Sequence, residues 1–147
     1  MTTILDSEPG LDDTALAALE RTLGVALPAP YRRFLAIHSG GYPTANVFRR
    51  ESRRRGDTEP GLVSEFLGAA DLGLYKTIYA GRIPAEFLAI GHDPGGNALV
   101  IATSGTDAGR VYFWDHDAEH TPPTRANLYL IADDFDAFLA GLREADG

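Results

Sequence analysis

The order of elements legible in this chain predicts an α+β fold, in which a single antiparallel sheet, or a mixed one, is packed by N-terminal helices and a C-terminal helix. Three observations carry that reading. Residues 87–117, FLAIGHDPGGNALVIATSGTDAGRVYFWDHD, place the apolar runs FLAIG, NALVIA and RVYFWD around the turn-rich breaks Asp93-Pro94-Gly95-Gly96 and Ser104 to Gly109. Consecutive antiparallel strands are written in this way. Leucines and aromatics fall at helical spacing near both ends of the chain, and no regular strand–helix alternation joins them.

Taken in order, Asp12 and Asp13 precede Leu16, Leu19 and Leu23 on one helical face, and Gly24 follows, which supplies a cap, a period and a stop. A second helix is expected to start near Pro30 and to carry Tyr31, Phe34, Leu35 and His38 before Ser39-Gly40-Gly41 ends it. Tyr42 to Glu59 is polar and arginine-rich, with Asn46-Val47-Phe48 as its one short-strand candidate, so a flexible arginine-rich loop is expected near residues 43–60. Leu62 to Leu67 and Tyr75 to Tyr79 hold branched and aromatic residues among glycines and predict at least one strand or short helix. After the three strands, Thr121-Pro122-Pro123-Thr124 cannot donate to a ladder through either proline and reads as a rigid loop. Leu128 to Ala132 reads as a short strand. Asp133 and Asp134 then cap a helix with Phe135, Phe138, Leu139 and Leu142 on one face, ending near Ala145.

A chain of 147 residues suits one domain, and 44% hydrophobic with 23% charged residues is ordinary for a globular protein, so residues 1–147 are expected to fold as one unit. The absence of cysteine excludes disulfides, thiolate zinc sites and thiol nucleophiles. No apolar run approaches the roughly 20 residues of a membrane span, and MTTILDSEPG lacks the marks of a signal peptide, which points to the cytoplasm. A formal charge of -8 repels phosphate backbones and attracts basic partners, so nucleic acid is not an expected ligand. Against that acidity, Arg49, Arg50, Arg53, Arg54 and Arg55 cluster in one window, most simply a solvated loop, although guanidinium forks also suit phosphate or an acidic protein.

Three segments together are similar to the SUKH superfamily, which includes fungal cell-wall-assembly regulators and bacterial toxin-immunity proteins. They are Leu23-Gly24-Val25-Ala26-Leu27-Pro28 through Tyr31, Phe34 and Leu35 to Gly40-Gly41, the block Phe87 to Asp117, and Ile131-Ala132 to Phe138-Leu139. The chain departs from the family at Ser39, where asparagine is common, and the Arg49 to Arg55 window has no counterpart. The resemblance implies a non-catalytic domain that binds another protein, commonly a toxin that it neutralises, often a nuclease. A regulatory or scaffolding module without a toxin is the alternative it leaves open. The signature residues also have structural explanations, because Gly40 and Gly41 permit a left-handed helix exit while Tyr112 and Trp114 pack on a sheet.

On charge and loop placement, Asp93, Asp115, Asp117 and Glu119 are the expected partner-binding residues, facing a toxin or other protein with a basic surface. No cofactor is expected. His116-Asp117-Ala118-Glu119-His120 approaches the spacing of zinc hydrolases, but its second residue is aspartate, and a strand before it and prolines after it leave no room for the required helix. If the strand persisted through Asp117, Asp115 and Asp117 would share one face and His116 the other. A metal-dependent hydrolase built on His116 and His120 is therefore the least supported reading. His38 and His92 have no partner visible in sequence, Gly91, Gly95 and Gly96 lack a dinucleotide spacing, and Lys76-Thr77 lacks the glycines of a phosphate loop. No serine lies in a nucleophile elbow.

Overall fold

A computed structural model describes residues 2–145. The chain begins with two short strands, β1 (Ile4–Leu5) and β2 (Glu8–Pro9), followed by helices α1 (Asp13–Leu23) and α2 (Ala29–Leu35). Strands β3 (His38–Ser39) and β4 (Tyr42–Pro43) return to pair with β2 and β1 respectively, each pair antiparallel. Then come β5 (Val47–Glu51), β6 (Thr58–Leu62), β7 (Glu65–Phe66) and α3 (Ala69–Ile78). Strands β8 (Phe87–His92), β9 (Ala98–Ala102) and β10 (Val111–Trp114), a 3-10 turn (His116–Ala118), β11 (Leu128–Ala132) and α4 (Phe135–Gly141) complete the chain. The main sheet is antiparallel throughout in the order β11-β10-β9-β8-β7, and three two-stranded ladders accompany it. The α+β class read from the sequence is the class observed.

Every residue of β8 and β9 is buried, because both faces of the sheet are covered. Phe113 faces one side, where Phe48, Phe66, Phe135 and Phe138 interlock in tilted and edge-to-face pairs, with Phe34 of α2 on Phe66 and Phe135. Trp114 faces the other, against Tyr79 just beyond α3, and α3 is in turn packed by α1. Such pairs each contribute roughly 0.5–1.5 kcal/mol beyond area burial. A register shift between Ala89 and Gly91 makes Ile90 the extra residue of a β-bulge. Past the bulge the alternation inverts, so His92 lies on the Trp114 side, its Nε2 2.8 Å from the Tyr79 hydroxyl.

Local chemistry explains the helix ends. Asp12 accepts the Ala15 amide, and Gly24 closes α1 in the left-handed region at φ 70. Asp134 caps α4 on the Ala137 amide. Gly68 has no side chain to cap α3; the Ser39 hydroxyl reaches over and accepts the Ala69 amide at 2.9 Å instead.

Three expectations need correction. Helix α2 stops at Leu35, so His38 lies in β3, where pairing of His38–Ser39 with Glu8–Pro9 draws the chain out of the helix. Helix α4 stops at Gly141 rather than near Ala145, because Leu142 turns extended and Arg143 exchanges backbone hydrogen bonds with Val47. The segment expected to be an arginine-rich loop is largely a hairpin, with β5 and β6 in register from Val47↔Leu62 to Glu51↔Thr58. Its arginines hold it. Arg49 bonds across the ladder to the Thr58 hydroxyl and carbonyl, and the Arg50 guanidinium lies over the rings of Phe113 (4.6 Å) and Tyr129 (4.7 Å). No helix among the described residues is long and apolar enough to cross a membrane.

Candidate partner-binding rim

The turn between β8 and β9 is built around one carboxylate. Asp93 Oδ1 accepts the Gly95 amide at 2.9 Å and the Asn97 amide at 2.7 Å, while Oδ2 accepts the Asn97 side-chain amide at 2.9 Å. Aspartate is suited to this position because its short side chain reaches amides two and four residues ahead, and Gly96 supplies the φ of 85 the turn needs. Asn97 then ties this turn to the chain leaving β10, since its Oδ1 accepts the His116 amide at 3.0 Å. The His116 Nε2 atom lies 2.8 Å from the Gly95 carbonyl. A carbonyl only accepts, so Nε2 carries the proton in this contact.

Beyond Trp114 the strand gives way to the 3-10 turn, capped by Asp115, which accepts the Asp117 amide at 3.0 Å. Asp115 and Asp117 therefore do not alternate on a strand face, and His116 is turned toward Gly95. The buried Asn127 fixes the backbone behind this corner, its Nδ2 donating to the Asp115 carbonyl at 2.8 Å and its own carbonyl accepting the Asp115 amide. These bonds bring Asp93, Asp115, Asp117 and Glu119 to one end of the sheet.

The four acids are not equally available. Asp93 is engaged by its own turn. Asp115 faces Arg53 Nη2 at 3.3 Å, and Arg53 Nε also donates to the Tyr129 hydroxyl at 3.1 Å. Glu119 is gripped by both arms of Arg82, at 3.2 and 2.6 Å, and that hydrogen-bonded guanidinium holds its carboxyl below the ordinary glutamate range. Arg82 in turn lies over the rings of Tyr79 and Trp114. Asp117 alone projects, with 83% of its side chain exposed and only His116 Nε2 beside it at 3.6 Å. Four carboxylates against two guanidiniums leave the rim net negative.

Sequence reasoning named Arg53 only as one of an arginine cluster and missed Arg82, Asn97 and Asn127; all four help to position the acids. Arg53 lies 62 residues from Asp115, and Arg82 37 residues from Glu119. No local pattern joins such pairs. It also missed the buried contact of Tyr79 with His92, whose Nδ1 is 3.7 Å from Glu65. Among the described residues, no group of three or more His, Asp and Glu side chains is arranged to hold a metal ion.

A family model described as the SMI1 / KNR4 family (SUKH-1) matches residues 10–141. The SPbeta prophage-derived uncharacterized protein YokK of Bacillus subtilis (strain 168) is 29% identical over 146 residues, a similarity that takes in 86% of this chain and 72% of that protein.

Proposed function

The chain belongs to the SMI1 / KNR4 family (SUKH-1), and from that premise we propose that it is a non-catalytic protein-binding domain, specifically an immunity protein that neutralises a toxin by direct binding. The observation that supports this best is the rim: two loops carrying four carboxylates, locked together through Asn97, His116 and Asn127 before any partner arrives. Loop backbones already held in place lose little entropy on association, and net negative charge steers a basic surface toward them. Asp117 makes the first contact in this reading. Asp115 and Glu119 exchange Arg53 and Arg82, whose own side chains are 70% and 43% exposed, for guanidiniums or ammoniums of the partner.

The partner this fits is a toxin with a basic face, such as the nucleic-acid-binding cleft of a nuclease, met in the cytoplasm of the cell under attack. Co-expression with the toxin encoded beside the gene tests the proposal. Rescue of growth together with co-elution of the two proteins supports it. Continued killing, with no complex on size exclusion, refutes it and leaves a regulatory or scaffolding module as the better account.

A further inference from the structure

A cleft of about 280 Å³ opens between α3 and the start of β8. Its walls are Tyr75, Tyr79, Ile83, Pro84, Phe87 and Pro123, and Ala89 contributes from the strand. These walls are set without a ligand. The Tyr75 and Tyr79 rings stack at 5.7 Å, the Tyr79 hydroxyl is tied to His92, and two of the wall residues are prolines. Gly81, which also lines the cleft, has a φ of 79, and a Cβ built there would meet nothing within 4 Å.

Lys76 is the one charged residue that lines this cleft, and no acidic residue does. Among the described residues Lys76 has no carboxylate within ion-pair distance, whereas its cationic neighbour Arg82 is matched by Glu119. A lysine in the last turn of α3 complements the helix dipole. That role does not call for an aromatic-walled hollow beside it. Preformed, mostly apolar concavities with a few polar anchors are how proteins hold small ligands, and this one lies just below the roughly 300–1,000 Å³ usual for drug-sized ones, which suits a smaller molecule.

We propose that this cleft binds a small apolar carboxylate, with the hydrocarbon or aromatic group against Tyr79, Pro84 and Phe87 and the anionic head on Lys76. The cleft shares no lining residue with the four rim acids, although Arg82, the partner of Glu119, lies over its Tyr79 wall, and its ligand would be taken up whether or not a toxin is the protein's partner. An amine of the same shape meets a like charge, and an alcohol leaves the ammonium without a counter-ion.

Two-dimensional amide NMR titrations with octanoate, octanol and octylamine decide the matter. Octanoate is expected to saturate at about millimolar concentration or below, with shifts concentrated at Lys76, Tyr79, Phe87 and Ala89. It should bind about five-fold more tightly than octanol, the factor expected for one partly exposed charge pair. Lys76→Gln should abolish that preference, Lys76→Arg should keep it, and Ala85→Phe, which places bulk at the exposed lip, should block all three probes with the thermal midpoint unchanged. Failure of octanoate to saturate, persistence of its preference in Lys76→Gln, or undiminished binding by folded Ala85→Phe would each overturn the proposal.

Discussion

Arg50 is the residue whose removal tells most about how the arginine-rich hairpin stays folded. Its guanidinium sits over Phe113 and Tyr129, its Nη2 donates to Glu59 at 2.9 Å and its Nη1 to the Glu51 carbonyl at 2.9 Å, with 15% of the side chain exposed. Two cation–π contacts in a largely desolvated setting contribute about 1 kcal/mol each. The backbone bond adds roughly 0.5–1 kcal/mol, and the pair with half-exposed Glu59 no more than about 0.5. Arg50→Ala should therefore cost about 2.5–3.5 kcal/mol in urea unfolding, at unchanged denaturant slope. That corresponds to a fall of about 5–14 °C in Tm for a chain of this size. Arg50→Lys keeps the charge but lacks the planar fork, and should lose about half as much. A double-mutant cycle with Glu59→Ala should return no more than about 0.5 kcal/mol of coupling. Amide exchange in β5 and β6 should accelerate in step with the loss. If Arg50→Ala stays within about 0.5 kcal/mol of the parent, or if lysine substitutes fully, the hairpin is not held by this clamp.

Three further outcomes follow from the same physical picture. Ser39→Ala removes the hydroxyl that accepts the Ala69 amide, and should cost about 1 kcal/mol by chemical denaturation with fraying confined to the start of α3. Gly41 has a φ of 113, and an added Cβ would lie 2.7 Å from both the Leu5 carbonyl and Ile4 Cγ2, so Gly41→Ala should cost upward of about 1–3 kcal/mol. The Asp107 carboxyl is held below its ordinary value of 3.8 by the hydrogen bond from Arg125 and, after that, the one from Tyr112. The unfolded chain then takes up the proton first on acidification, so this carboxylate's stabilisation is complete above about pH 4 and is lost as pH falls through the depressed native value. Asp107→Asn should be destabilised at neutral pH, and its unfolding curve should converge on the parent's in acid; a gap that stays constant with pH would contradict the assignment.

Much of the scaffold could be read from residues alone, for identifiable reasons. Helix α1 announces itself through Asp12, three leucines at helical spacing and Gly24, and strands β8 to β10 through apolar runs separated by glycine-rich turns. The hairpin could not be read, since Phe48 is the one side chain β5 and β6 bury fully, while Arg49 bonds across the hairpin to Thr58 and Arg50 reaches to Phe113 and Tyr129, and such strands look like a charged loop. Helix α2 ran on to His38 in the sequence because helical spacing continues there; the competing pairing with Glu8–Pro9 is a long-range contact. The orientation of His92 depends on the bulge at Ile90, which moves one residue out of register in a run of uniformly buried side chains. The acidic rim was legible as a location, because turns and strand ends gather acids at one end of a sheet. The state of each acid was not, since Arg53 and Arg82 arrive from distant parts of the chain.

The central claim, that a preorganised acidic rim captures a basic protein, is tested most directly by association kinetics with the toxin encoded beside the gene, measured by stopped flow across a range of salt. Asp117→Lys alters only an exposed side chain, so folding should be unaffected within about 0.5 kcal/mol. Association of the parent should slow steeply as salt rises, and the variant should be much slower at low salt, with the two converging once charges are screened. Equal rates for parent and variant at every salt concentration would contradict the account.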